Sequence, residues 1–468
     1  MSQNQSISYN QVDFVVKAPR FRIVFSYMDD KGIAFVREYL LRLLKLTACK
    51  ADQIAQYFGF NQHETEVALT DLEQNKWIMW RDDGLIQLSA EGLRLFQNSE
   101  KDTPKIPTLK ESRGEYRIEL LDNNFLERKH CDKSRQQAIE LAIEPKVLSA
   151  SEEIARKTFQ NRFRQLIEDG IINLEENDIS LYKIDVIEPK GSPDYFRFTQ
   201  NFEFLPETGE SKERHDIKEI IHQENIQQAI TSQIEQFSNG ENLRELRKSM
   251  DELNDEDTSK VLFGGKLDFT EFLSINQKYE EKNGSYFLGQ IYHQAKENKK
   301  FSNKALDDVE EIIKKSKKGT SKLYWIAPSD IYWGKQLKIH DKIQNLFDLS
   351  KDKFEFRLYL PLPNERNKHE KREWINQFKD IPQKILYGFH EGFLDGNTEV
   401  LFLEDKFAIV CYHAKLPNYP VTVPIGFMTT ELTKVNQISK TALSYLSSLL
   451  FNNNSDFTEY KDFGLLSN

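Results

Sequence analysis

Cysteine is nearly absent. Three occur in 468 residues, Cys49, Cys131 and Cys411, and no two form a C-x-x-C. This excludes a disulfide framework and a cysteine-clustered zinc site, and it fits a reducing compartment. Long apolar runs are also missing; none approaches the ~20 residues that cross a bilayer, so no membrane association is expected. The opening MSQNQSISYNQ has neither the basic start nor the apolar core of a signal peptide, and a cytoplasmic location is expected. The glycine patterns of phosphate-binding loops are lacking, because FGGK at 263–266 and KKGTSK at 317–322 do not have the G-x-x-x-x-G-K-[ST] spacing. There is no G-x-S-x-G. The nine histidines include no H-x-x-x-H pair. No carboxylate spacing singles out an acid–base pair. No metal and no cofactor are therefore expected. Positive charge is in deficit, with 64 Lys and Arg against 74 Asp and Glu, net -10. This rules out a general nucleic-acid coat and confines any DNA role to a local basic patch.

What is present is aromatic bulk, with 32 Phe and 18 Tyr in a chain that is 39% hydrophobic. This combination fits large cores and an interaction protein. The length predicts about three domains. The expected class is multidomain α+β. Residues 1–30 read as an N-terminal extension whose first dozen residues are polar and unstructured. Residues 99–132 read as a connector, 188–259 as a connector with one strand (YFRFTQNFEFL) and a helical middle, and 260–468 as a C-terminal α/β domain. In the middle, Ile226, Ile230, Ile234 and Phe237 form a stripe that predicts a packing helix. The C-terminal pattern alternates strand-like runs (KLYWIA, FEFRLYLPL, KILYGFHEGF) with helical ones, and EVLFLEDKFAIVCY reads as a hairpin turning at Glu404 and Asp405.

Between these, KGIAFVREYLLRLLK predicts an amphipathic helix on Phe35, Tyr39, Leu40, Leu43 and Leu44. Ile54, Ala55 and Phe58 predict a short helix that Gly59 stops. Asn61 with Glu64 predicts a capping box for the next helix, whose apolar side is expected on Val67, Ala68 and Leu72. WIMW and LIQL predict a hairpin across Asp83 and Gly84, followed by a helix from Ser89. This order of elements over 31–98 resembles a winged-helix domain. The third helix exposes Gln62, His63, Glu64, Glu66, Asp71 and Glu73, and residues 51–100 hold nine acids against three Lys or Arg. Such a surface repels phosphate, so this module is expected to bind protein or the rest of the chain.

SASEEIARKTFQNRFRQLIEDGIINLEENDISLYKI repeats the pattern more loosely, with Phe159, Phe163, Leu166 and Ile167 on one helix face, Gly170 as the stop and a hairpin turning near Glu176 and Asn177. It resembles a second winged helix over 133–187, although no clear turn separates its last two helices. Here the residue types suit DNA: cations for phosphates, amide and guanidinium groups for base edges. Arg156, Lys157, Gln160, Asn161, Arg162 and Arg164 are the candidate DNA contacts, with Gln160, Asn161 and Arg164 outward. The alternative is a solvated helix face. The lysine-rich 296–322, with nine lysines and five acids, reads as a solvated helix and loop.

In YHAKLPNYPVTVPIGFMTT, His413 and Lys415 form an H-x-K at a strand end. It is similar to the phospholipase D superfamily, whose histidine attacks phosphorus while the lysine neutralises phosphate oxygens. Pro420 stands where that pattern has Asp, and Gly426-Phe427 stands near its Gly-Ser. The resemblance is confined to this hairpin and implies an inactive, structural or ligand-binding domain. A second H-x-K, His369 and Lys371, lies in a charged, exposed stretch. Joining a winged helix to such a domain also resembles, in architecture only, archaeal sugar-sensing regulators. The leading expectation is a non-enzymatic DNA-associated adaptor or regulator in a multi-protein assembly, of the kind found in prokaryotic phage-defence or DNA-processing systems. Its partners would be DNA and protein subunits. The alternatives are a phosphodiesterase or nuclease using His413 and Lys415, completed across a homo-oligomer, and a ligand-sensing transcription regulator.

Overall fold

The computed structural model describes residues 6–97, 103–174, 179–212, 220, 223–237, 240–293, 303–319, 321–450 and 459–467. The chain is mixed α/β and multidomain, with fifteen α-helices and several sheets among the described residues. It divides into two compact units, one of Ala18–His130 and Glu144–Asp194, the other of Met1–Lys17, Cys131–Ile143 and Tyr195–Asn468. No helix among the described residues is long and apolar enough to cross a membrane.

The first unit is built on a four-stranded antiparallel sheet in the order Phe125–Leu126, Lys105–Ile118, Arg20–Gly32, Ile179–Pro189. Alternation on Arg20–Gly32 turns Phe21, Ile23, Phe25 and Tyr27 into the core. The helices Ser151–Asn161 and Phe163–Glu168 supply Phe159 and Phe163, whose ring centroids lie 5.1 and 5.5 Å from that of Phe25. The hairpin expected after these helices is corrected. Residues 171–174 form no strand, the expected turn at Glu176 and Asn177 lies outside the described residues, and Ile179–Pro189 pairs with Arg20–Gly32. Alternating hydrophobicity marks a strand but not its partner, and the far longer ladder wins.

Residues 33–97 carry the helices Phe35–Leu46, Ala51–Phe58 and Gln62–Gln74, the hairpin Ile78–Trp80 with Ile86–Leu88, and the helix Ala90–Arg94. The local signals operate as expected. Asn61 Oδ1 accepts from Glu64 N at 2.9 Å while Glu64 Oε2 accepts from Asn61 N at 2.8 Å. Gly59 stops its helix in the left-handed region, and Ser89 caps the last helix by accepting from Gly92 N. Two apolar faces differ from expectation. The first helix buries Leu40, Leu41 and Leu44 and leaves Phe35 and Tyr39 outside; the third buries Thr65, Leu69 and Leu72 and exposes Val67.

The other unit holds two sheets. An eight-stranded sheet runs Ser285–Leu288, Val423–Thr429, Phe407–Ala414, Thr398–Leu403, Lys322–Ile326, Glu355–Leu362, Leu386–His390, Asp462–Leu465. Lys322–Ile326, Glu355–Leu362 and Leu386–His390 pair in parallel, and the other pairs are antiparallel. The expected hairpin is present, with Asp405 at positive φ in its turn. Ala305–Lys315, within the lysine-rich stretch, buries Leu306, Val309 and Ile313, so it is a packing helix. Ile226, Ile230 and Ile234 are buried as expected.

The second sheet contains Ile7–Ala18, Asp194–Leu205, Glu210–Ser211, Cys131–Asp132 and Ile139–Glu140. The reading of residues 1–12 as unstructured is thereby corrected from Ile7 onward. Two polar side chains of Ile7–Ala18 are buried with partners. Asn10 Nδ2 donates to Thr422 O at 2.8 Å, and Asp13 accepts from Thr199 Oγ1 at 2.7 Å and pairs with Arg197 at 3.3 Å.

Candidate functional site

FAIVCYHA is a continuous apolar run, the pattern of a strand covered on both faces, and all eight residues of Phe407–Ala414 are buried. Residues two apart on a strand share a face, so Cys411 and His413 point the same way. Glu399 is the cross-strand partner of Cys411. Asp330 comes from the segment that follows Lys322–Ile326. These groups converge in the interior. His413 Nδ1 lies 2.7 Å from Asp330 Oδ2, which also accepts from Thr422 Oγ1 at 2.8 Å. His413 Nε2 lies 3.3 Å from Glu399 Oε2. Glu399 Oε1 accepts from the indole N–H groups of Trp325 and Trp333, both at 2.7 Å. One donor atom from each of Glu399, Cys411 and His413 lies within 4.8 Å of the others.

The electrostatics follow from that geometry. Burial disfavours the His413 imidazolium, but hydrogen bonds to Asp330, Cys411 and Glu399 outweigh it and hold the group well above the usual histidine value. Burial pushes the Cys411 thiol up to about 11, against the lowering effect of His413. The cluster can hold a proton or a cation. It does not present a nucleophile, because both ring nitrogens are engaged and His413 has no exposed surface.

The residues of the H-x-K reading separate in the fold. His413 is interior, whereas Lys415 lies beyond the strand end, half-buried, with its backbone N–H bound to Asn242 Oδ1 at 2.7 Å. Gly426 sits inside Val423–Thr429 opposite Cys411, and a Cβ there would collide with the Val410 carbonyl. Close strand packing therefore accounts for that glycine without a phosphate. His369 is exposed beside Glu373. Comparison of the chain with protein-family models, curated proteins and solved structures returns no match.

Asp330, Glu399, Cys411 and the two tryptophans were missed by motif reading. The C-x-H on a strand was the available signal; Asp330, 83 positions from His413, left none.

Of the proposed DNA contacts, Lys157, Gln160, Asn161, Arg162 and Arg164 are exposed and Arg156 is half-buried, with Phe159 and Phe163 inside. Three of the cations have partners: Arg156 with Glu152 at 3.8 Å, Lys157 with Glu153 at 2.6 Å, and Arg162 with Asn124 Oδ1 at 2.7 Å. The helix is also not continuous, since it breaks at Arg162. Residues 35–93 have a different surface. Among the described residues, nine of the eighteen large apolar side chains left exposed belong to it, including Phe35, Leu46, Tyr57 and Trp80. Trp80 borders a groove of about 570 Å³ lined by Asp52, Glu66, Glu73, Ala55 and Leu69.

Proposed function

We propose that this protein is a non-enzymatic adaptor or regulator that docks a protein partner on residues 35–93, a winged-helix-like module, and contacts DNA through residues 160–164. The concentration of exposed apolar side chains on the module supports the reading, since apolar surface left open to solvent is what interaction sites use. The acids around its groove fit a partner segment carrying Lys or Arg beside an apolar anchor. A photo-crosslinker placed at Trp80 in the full chain, in its native host, should form protein adducts. A crosslinker at the exposed Tyr182 should not. Adducts should fall several-fold in a Glu66→Lys, Glu73→Lys background that melts normally. Equal adduct formation at Trp80 and Tyr182 removes this reading.

The DNA part rests on the outward placement of Gln160, Asn161 and Arg164 over a buried Phe159 and Phe163. Arg164→Ala should weaken DNA binding and lower the salt slope by about one, the signature of a lost phosphate contact. Arg162→Ala should act less, because its guanidinium is held by Asn124. Affinities measured at two salt concentrations, with melts as a folding control, decide it. Unchanged affinity in both variants makes this a packing helix and nothing more.

A phosphodiesterase is disfavoured by the engagement of both His413 nitrogens. A ligand-sensing regulator is favoured by one observation. A cleft of about 900 Å³ is lined by Tyr324, Tyr359, Tyr387, Arg357 and Lys440, and Arg357 lies 4.7 Å over the Tyr387 ring. Native mass spectrometry of the purified chain should then show a small-molecule mass excess that Tyr387→Ala removes. A bare-chain mass eliminates this second reading.

A further inference from the structure

We propose that Glu399, Cys411 and His413 form a binding site for one divalent cation of the zinc class, with Asp330 orienting the histidine. The donor set is the first argument. One imidazole nitrogen, one thiol sulfur and one carboxylate oxygen face a common point, all buried. Nitrogen and sulfur donors select zinc-like ions over magnesium or calcium.

The second argument is spacing. A charge-assisted hydrogen bond between imidazolium and carboxylate is expected at about 2.7–2.9 Å. The Asp330 side of His413 meets that, at 2.7 Å, but the Glu399 side is 3.3 Å. Ligands bound at about 2.0 Å to a tetrahedral ion lie about 3.3 Å apart, so this longer hydrogen bond already has the separation of two ligands, and an ion can replace its proton.

The third argument is the supporting shell. A metal-bound histidine usually donates its other ring N–H to a carboxylate, which fixes the tautomer. Asp330 is placed to accept from Nδ1, leaving Nε2 toward Glu399 and Cys411. Trp325 and Trp333 hold Glu399 Oε1, which leaves Oε2, facing His413 Nε2, as the ligand atom.

His413 and Cys411 bind an ion only as neutral imidazole and thiolate, so protons held on Nε2 and Sγ leave to solvent when the ion enters. The protein supplies three ligands, which leaves one position of a tetrahedron.

The test uses the full-length protein purified without chelator. Elemental analysis should find about one equivalent of zinc. Stripping it with a chelator should lower the melting midpoint, and added zinc should restore it. Cobalt(II) added to the stripped protein should give tetrahedral d–d bands and a thiolate-to-cobalt charge-transfer band. Those bands should vanish in Cys411→Ser and His413→Gln and persist in Lys415→Ala, Cys49→Ser and Cys131→Ser. If the first two variants do not fold, the wild-type spectrum decides alone. No stoichiometric metal with no cobalt uptake overturns the proposal, as does a cobalt spectrum without a thiolate band. A thiolate band that survives Cys411→Ser places the ion elsewhere and overturns it too.

Discussion

Asp330→Ala should destabilise the unit that contains it by about 3–5 kcal/mol, the usual loss when one partner of a buried ion pair is removed. The change strips the acceptor from His413 Nδ1 and from Thr422 Oγ1, both in the interior. Asp330→Asn should recover part of the loss, because the amide oxygen still accepts while the charge is gone. Trp325 and Trp333 share the cluster through Glu399, so tryptophan emission during denaturant unfolding reads the transition directly. Two compact units need not unfold together, so the midpoint and slope must be assigned to that transition. An Asp330→Ala transition within about 0.5 kcal/mol of wild type would place Asp330 among surface-like positions and sink the argument that the cluster is integral.

The second large effect is expected in the other unit. Phe159→Ala should cost about 3–5 kcal/mol, through lost burial and the cavity left behind. Phe159 is fully buried, and its ring has centroids of Phe25 at 5.1 Å, Tyr116 at 5.3 Å, Phe125 at 5.8 Å and Phe163 at 5.8 Å. The four neighbours come from one helix and three strands of the sheet, so they cannot all close on the void. Gln160→Ala, one residue along and exposed, should stay within about 0.5 kcal/mol. Amide exchange of the Arg20–Gly32 strand is the sharpest readout, because Phe25 lies on it. Equal exchange in Phe159→Ala and wild type would mean that the helix is not what stabilises this sheet.

These two sites differ in how far they could be read in advance. Phe159, Phe163 and Leu166 repeat at helical spacing, so their burial followed from period alone. The same holds for the capping box at Asn61 and Glu64, the stops at Gly59, the turn at Gly84 and the buried isoleucines of Glu224–Phe237. Each is a contact between residues a few positions apart, and a short window contains it whole. The Asp330 cluster was not legible in that way. His413 stands out in the sequence only as half of an H-x-K with Lys415. The fold gives it Asp330 and Glu399 instead.

The sequence by itself determined the order of helices and hairpin over residues 33–97, the helical stretch at 151–168 with its inward phenylalanines, and the C-terminal strands. Local propensity, caps and period all agree there. Only the tertiary structure decided that Ile7–Ala18 is a strand, that Ile179–Pro189 joins Arg20–Gly32, and that a histidine, a cysteine and two carboxylates meet in the interior. The physical reason is common to the three. A strand's hydrogen-bonding partner lies elsewhere in the chain, and a buried polar side chain is tolerated only where a distant group satisfies it. Neither condition leaves a mark in the residues alongside.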